Sequence, residues 1–265
     1  MCGIAGYSLS PDSSVDRTLA AQALLAGIAE RGADAAGYAY RDGGSEIHVH
    51  KQRSGASALM EHMVVPAEAA QALVHVRDYT KGHPTIEANN HPIRHGSVVG
   101  VHNGIILNDE EVLAGHGFER AHPDMTVDSE AIFALVEEGD SRAEVLEELK
   151  GSMATAWMDE RRPGVLFVAR AVGRPLWVAW ARQEVFFAST RDALEVVERA
   201  LRRTFTKREV DEGTLLALAD GRVAWTERFT PDRSYVEETA LPAVRSAEEG
   251  AFCRTKLAAI LAALA

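Results

Sequence analysis

The chain is poor in the features that decide most function classes at a glance. Its 265 residues include only two cysteines, Cys2 and Cys253, near opposite ends. Two thiols so placed make neither a disulfide framework nor a four-thiolate zinc site, and they suit a reducing cytoplasm. Long hydrophobic runs are missing as well. The longest, residues 257–265, falls far short of the roughly 20 residues that cross a bilayer. The opening MCGIAGYSLS has neither the basic segment nor the apolar run of a secretory signal. Basic charge is scarce: 28 Lys and Arg face 39 Asp and Glu, a net charge of −11. Phosphates need a basic footprint, so this balance argues against nucleic acid and against an anionic membrane as partner. The sequence holds no G-x-x-x-x-G-K-[ST] or G-x-G-x-x-G string, no internal repeat and no Pro/Ser-rich linker.

What is present is a series of short apolar runs of strand length. They are Ile4–Tyr7, Ala36–Tyr40, Ile47–Lys51, Ala72–Val76, Val98–Val101, Thr155–Met158, Val165–Ala169, Leu176–Trp180, Val185–Ala188 and Leu215–Ala219. Asp42-Gly43-Gly44, Arg162-Pro163-Gly164 and Asp220-Gly221 separate neighbouring runs, and such turn signals favour antiparallel hairpins. Helical stripes lie between the groups. Ser13 or Ser14 is expected to cap a helix carrying Leu19, Ala23, Leu24 and Ile28, with Gly32 stopping it. Further helices are expected over Ser129–Glu138, from Ser141 through Leu149, around Leu194, Val197 and Leu201, and along Cys253, Leu257, Ile260 and Leu264. The whole reads as an α+β domain spanning residues 1–265.

Cys2 is the first residue with chemistry in it. Removal of Met1 by an aminopeptidase, which tolerates a small second residue, would put a thiol and a free α-amine on one residue. An amine of pKa about 7.7–8.0 is a base near neutral pH, able to activate the thiol directly or through water. Read alone, Cys2 is merely a small residue after the initiator. Downstream come Arg31-Gly32-Ala33-Asp34-Ala35-Ala36-Gly37, His75-Val76-Arg77-Asp78-Tyr79-Thr80-Lys81-Gly82, Asn90-His91-Pro92, His102-Asn103-Gly104 and Val127-Asp128-Ser129-Glu130. In this order behind Cys2, the set resembles the class II glutamine amidotransferase domain. That domain is the N-terminal-nucleophile hydrolase module of enzymes such as glutamine phosphoribosyl-pyrophosphate amidotransferase and glucosamine-6-phosphate synthase. The resemblance runs from residue 2 to about 225 and leaves 226–265 as an extension with one helix. It implies a four-layer αββα sandwich of two antiparallel sheets flanked by helices.

The resemblance also implies roles that suit the residue chemistry. Cys2 would attack the side-chain amide of glutamine, giving a γ-glutamyl thioester and ammonia. Asn103 and Gly104 would offer a side-chain and a backbone N–H to the oxyanion; alone, Asn-Gly is a hairpin turn. Arg77 would hold the substrate α-carboxylate with a two-pronged guanidinium, in a loop shaped by Thr80 and Gly82. Asp128 would meet the α-ammonium; alone, it reads as a helix N-cap. Arg31 and Asp34 are expected to support the N-terminal loop.

Asp78 and Lys81 depart from the glucosamine-6-phosphate synthase pattern and fit the phosphoribosyl-pyrophosphate enzymes better. Asp78 would repel a carboxylate unless it turns away or pairs with Lys81. Five of the ten histidines fall between His75 and His102, yet their spacings match no compact ligand motif, so neither metal nor cofactor is expected. The expectation is a glutaminase subunit that passes ammonia to a separate synthetase. Two rivals stand beside it: a hydrolase of another small amide, and a non-catalytic binding protein. The last helix either packs on its own domain or docks a partner.

Overall fold

The computed structural model describes residues 2–237, 239 and 241–264. Met1, whose removal the N-terminal reading invokes, lies outside the described residues.

Thirteen strands among the described residues form two antiparallel sheets. The strands are β1 (Gly3–Leu9), β2 (Ala35–Arg41), β3 (Ile47–Gln52), β4 (Gln71–Arg77), β5 (Ile93–His95), β6 (Val98–Ile106), β7 (Gly151–Asp159), β8 (Leu166–Arg170), β9 (Trp177–Trp180), β10 (Glu184–Ala188), β11 (Thr206–Glu209), β12 (Thr214–Ala219) and β13 (Arg222–Arg228). One sheet runs β11-β9-β10-β1-β4-β2-β3 and the other β13-β12-β8-β7-β6-β5. The three expected turns do join β2 to β3, β7 to β8 and β12 to β13 as antiparallel pairs.

Among the described residues six helices flank the sheets: α1 (Arg17–Ile28), α2 (Ala56–Met60), α3 (Asp109–His116), α4 (Glu130–Glu138), α5 (Arg191–Leu201) and α6 (Ala247–Ala263). Three buried clusters show the four layers. Ile4, Leu73, Val99, Val101, Ala154, Ala156 and Phe187 meet between the sheets. Tyr7, Val74 and Phe186 face α1, α2, α5 and α6 on one outer side. Trp157, Phe167 and Val98 face α4 and its neighbours on the other. Along β7, Ala154, Ala156 and Met158 point inward while Met153 and Trp157 point to α4. Both faces are therefore apolar, and the strands read as continuous hydrophobic runs where a one-sided sheet would alternate. The expected αββα sandwich is the observed one.

Some local expectations give way. The cap of α1 is Asp16, not Ser13 or Ser14; its carboxylate accepts the Leu19 N–H at 2.9 Å, a bond worth about 1 kcal/mol. Ser13 instead donates to Glu184 at 2.9 Å. The helix expected from Ser141 is a 3₁₀ segment, Ala143–Glu148, because Asp140 and Ser141 both take left-handed backbone angles, φ 54° and 58°. The apolar stripe of α6 packs on its own domain: Cys253 and Leu257 are buried against the α1 cluster, joined by half-buried Ile260 and Leu261. No described helix is long and apolar enough to cross a membrane.

Candidate active site

Cys2 precedes β1, and β1 lies antiparallel to β4 with Gly3 opposite Val76. This register carries the Cys2 thiol to the end of β4, where Sγ donates to the Asp78 carbonyl at 3.4 Å. Arg31 donates from Nε to the Cys2 carbonyl at 2.9 Å. Asp34 accepts the Tyr79 N–H at 2.9 Å, and its own N–H bonds the Arg77 carbonyl at 3.0 Å. The Arg31–Asp34 turn thus supports both the N-terminus and the loop after β4. Burial pushes the Cys2 thiol pKa up, against lowering contributions from the Asp78 backbone and the Arg77 guanidinium. A thiol so placed stays protonated at neutral pH and needs a base.

Across the gap, β6 of the second sheet presents Asn103 and Gly104. They lie inside the strand, paired with Ala154 and Met153 of β7, so the hairpin-turn reading of Asn-Gly does not hold. Asn103 is fully buried, yet neither its Nδ2 nor its Oδ1 has a hydrogen-bond partner. Leaving a buried amide unsatisfied costs about 1–3 kcal/mol, and such a group calls for an explanation. Gly104 has φ 153°, and a Cβ there would stand 1.9 Å from the Ser152 carbonyl oxygen. Only glycine lets β6 pass this point.

Cys2, Thr80, Asn103 and Gly104 line one cavity of about 120 Å³, together with Asp78, Tyr79, Arg174, Leu241 and Arg245. Four of the seven expected site residues are thereby brought together. The other three sit behind the wall. Arg77 is 2% exposed; its guanidinium donates to Asn90 Oδ1 at 2.7 Å, to the Lys81 carbonyl at 2.9 Å and to the Gly82 carbonyl. Gly82, at φ 79°, turns that carbonyl toward Arg77. Asp128 does not cap α4; its Oδ2 accepts the Ile106 N–H of β6 at 2.7 Å. Burial, with Asp109 nearby, raises its pKa to about 6. The Asp78 charge is met by Arg245, 3.6 Å away, whereas Lys81 turns to Asp109 and Glu110.

Behind Asn103 lies a group of buried imidazoles. His75 and His91 stack at 4.3 Å, His75 Nε2 is 3.1 Å from the His102 carbonyl, and His102 Nδ1 is 2.9 Å from Ser129 Oγ. Burial keeps all three neutral, with the pKa values of His75 and His102 lowered to about 3 and that of His91 well lowered too. Asp42, Glu46 and His48 could together offer ligands to a cation, but none of them lines the Cys2 cavity. Two roomier clefts, about 530 and 810 Å³, surround Lys51, Glu87 and Arg94 and contain none of the expected site residues.

A family profile described as a glutamine amidotransferase domain matches residues 80–196. Over 219 residues the chain is 36% identical to glutamine–fructose-6-phosphate aminotransferase (isomerizing) of Escherichia coli, covering 75% of this chain and 33% of that enzyme. The chain carries a class II glutamine amidotransferase domain. The Vibrio parahaemolyticus aminotransferase of the same name is 32% identical over the same span. The chain spans about a third of the length of these curated relatives. Among solved structures, the phosphoribosylpyrophosphate amidotransferase of B. subtilis superposes with a TM-score of 0.68 at 22% identity, over 86% of this chain and 49% of that one. A glutamine aminotransferase class-II domain protein of Silicibacter pomeroyi superposes with a TM-score of 0.55 at 17% identity, over 87% of this chain and all of its own. These likenesses show the shared αββα fold. The profile match takes in Thr80, Gly82, Asn103, Gly104 and Asp128 of the amidotransferase domain and starts after Cys2 and Arg77.

The sequence reading missed Arg174, Leu241 and Arg245. Arg174 follows β8, and the other two lie in the stretch before α6. No local motif marks them; only the folded chain brings them to Cys2.

Proposed function

We propose that this domain hydrolyses the side-chain amide of glutamine through a thioester on Cys2. The observation that carries the reading is the buried, unpartnered Asn103 amide on the cavity that also holds the Cys2 thiol. In the proposed reaction the Cys2 α-amine, freed by loss of Met1, takes the thiol proton. Sulfur then attacks the amide carbon. The carbonyl oxygen gains negative charge and receives hydrogen bonds from Asn103 Nδ2 and the Gly104 N–H. Collapse breaks the C–N bond, the α-ammonium returns its proton to the leaving ammonia, and water hydrolyses the thioester to glutamate.

Arg77 would take the substrate α-carboxylate and Asp128 its α-ammonium, with Thr80 and Gly82 shaping the loop between them. For Arg77 this means exchanging its bonds to the Lys81 and Gly82 carbonyls for bonds to the substrate, a loop movement of the kind that commits substrate in many enzymes. Ammonia would pass to a synthetase in trans, in the reducing cytoplasm where Cys2 stays free. A second reading, hydrolysis of a small amide without an amino-acid head, draws support from the inward guanidinium of Arg77. The test is glutamate release from glutamine by the purified chain, alone and with a candidate synthetase and its acceptor. A tenfold activation corresponds to about 1.4 kcal/mol of coupling. Turnover of simple amides but not glutamine would favour the second reading.

A further inference from the structure

One wall of the Cys2 cavity comes neither from the sheets nor from the loop after β4. Leu241 and Arg245, from the stretch between β13 and α6, line it beside Cys2, Thr80 and Arg174. Two ion pairs fasten this stretch. The Glu237 carboxylate takes the Arg174 guanidinium on both oxygens, at 2.9 and 3.1 Å, and Arg174 is buried. Arg245 Nε lies 3.6 Å from Asp78 Oδ2, on the residue whose carbonyl accepts the Cys2 thiol. Downstream, the Arg245 and Ser246 N–H groups both bond the Glu30 carbonyl, at 3.0 and 2.9 Å, next to the Arg31 that holds the Cys2 backbone.

Apolar burial adds little to this fastening. Among its described residues Val236 and Val244 are exposed and Leu241 is half-buried, so these are held mainly by ion pairs and backbone hydrogen bonds. Segments with few buried apolar contacts open at low free-energy cost. The cavity, about 120 Å³, is small beside the roughly 300–1,000 Å³ of clefts that admit drug-sized ligands.

We propose that the stretch bearing Glu237, Leu241 and Arg245 is a latched cover over Cys2. It must lift, parting Glu237 from Arg174 and Arg245 from Asp78, before a substrate reaches the thiol. Leu241 and Arg245 set which molecules pass. This deepens the reading of Cys2 as nucleophile, but access to the thiol can be measured without any amide turnover.

The experiment alkylates the full chain with iodoacetamide under native conditions and follows Cys2 and Cys253 separately by peptide mass. Cys253 lies on the buried face of α6 with a pKa raised by burial to about 12, so its labelling reports general loosening. Glu237→Gln and Leu241→Ala are each expected to speed Cys2 alkylation tenfold or more, and Arg245→Gln severalfold, with Cys253 unchanged. An unchanged Cys2 rate in all three variants would overturn the cover, as would equal acceleration of both cysteines. Fast labelling of Cys2 in variants that release no glutamate keeps the cover and removes the glutaminase reading. Glutamate release with unaltered labelling does the reverse.

Discussion

The strand-borne floor of the cavity and its loop-borne wall hold their polar groups in opposite states. On the floor, Asn103 is fixed by the β6–β7 register and has both polar atoms unbonded. In the wall and behind it, the charged groups have partners: Arg77 on Asn90 and loop carbonyls, Arg174 on Glu237 through both terminal nitrogens though not Nε, Arg245 beside Asp78. Strands can hold an unsatisfied amide because burial on both faces of each sheet outweighs its cost. A loop has no such reserve, so its charges pair with one another until a substrate competes. Rate is therefore expected to depend on the floor, and recognition on exchange of partners in the wall.

The largest expected effect is on the floor. Cys2→Ala should reduce glutamate release to background and abolish addition of a glutamine-like diazo-ketone, while Cys253→Ala leaves both intact. Label found on Cys253 alone would remove the nucleophile assignment. Asn103→Ala should lower kcat by about 10²–10³ with little change in KM. Because it deletes an unpartnered buried amide, the melting temperature should hold steady or rise. A parallel fall in kcat and stability would mean that Asn103 is structural and that floor and wall do not differ in this way.

Asp128 tests the boundary between the two regions. Its pKa in the fold, about 6, exceeds the roughly 3.9 of an unfolded aspartate. The neutral carboxyl therefore favours the fold fully below about pH 4, and that contribution is lost as pH rises through about 6. Asp128→Asn should be more stable than the parent at pH 7, by an amount on the order of 3 kcal/mol. The gap should close in urea melts between pH 6 and 4. The same variant should bind glutamine less well. A pH-independent gap would mean that the carboxylate is not strained by burial.

The smallest expected effect is behind the wall. Arg77→Lys keeps the charge but loses the fork, and recognition should weaken by about 1.5–3 kcal/mol, read as a roughly ten- to hundredfold rise in KM. An unchanged KM would favour the small-amide reading.

The strands and hairpins were legible because Gly- and Pro-bearing turns separate apolar runs, most of them deeply buried, whereas the four-layer stacking followed from the family resemblance. What escaped was whatever local pattern does not encode. Thr206–Glu209 and Arg222–Arg228 are largely exposed strands with polar and charged residues, and they exist only because β9 and β12 offer free edges. Asp109–His116 buries just Asp109, Val112 and Leu113, too few for a clear helical stripe. In the site, the ordered motifs pointed to Cys2, Asn103 and Gly104, which strand register then brought together. They could not show that Arg77 bonds its own loop, nor that Arg174 and Arg245 come to Cys2. The first depends on the conformation of a short loop, the second on contacts between distant parts of the chain, such as the 63-residue separation of Arg174 and Glu237.

The neutral imidazoles behind Asn103 impose a proton count on the whole fold. His75, His91 and His102 bind no proton when folded at moderately acid pH, but each takes one up in the unfolded chain below about pH 6.5. Each such uptake removes about 1.4 kcal/mol of stability per pH unit. Over two pH units this offsets several kcal/mol, a large part of an ordinary domain's stability, while the neutral Asp128 carboxyl acts in the opposite sense. Acid should thus destabilise this protein steeply, with a net uptake of protons measurable by titration across the transition.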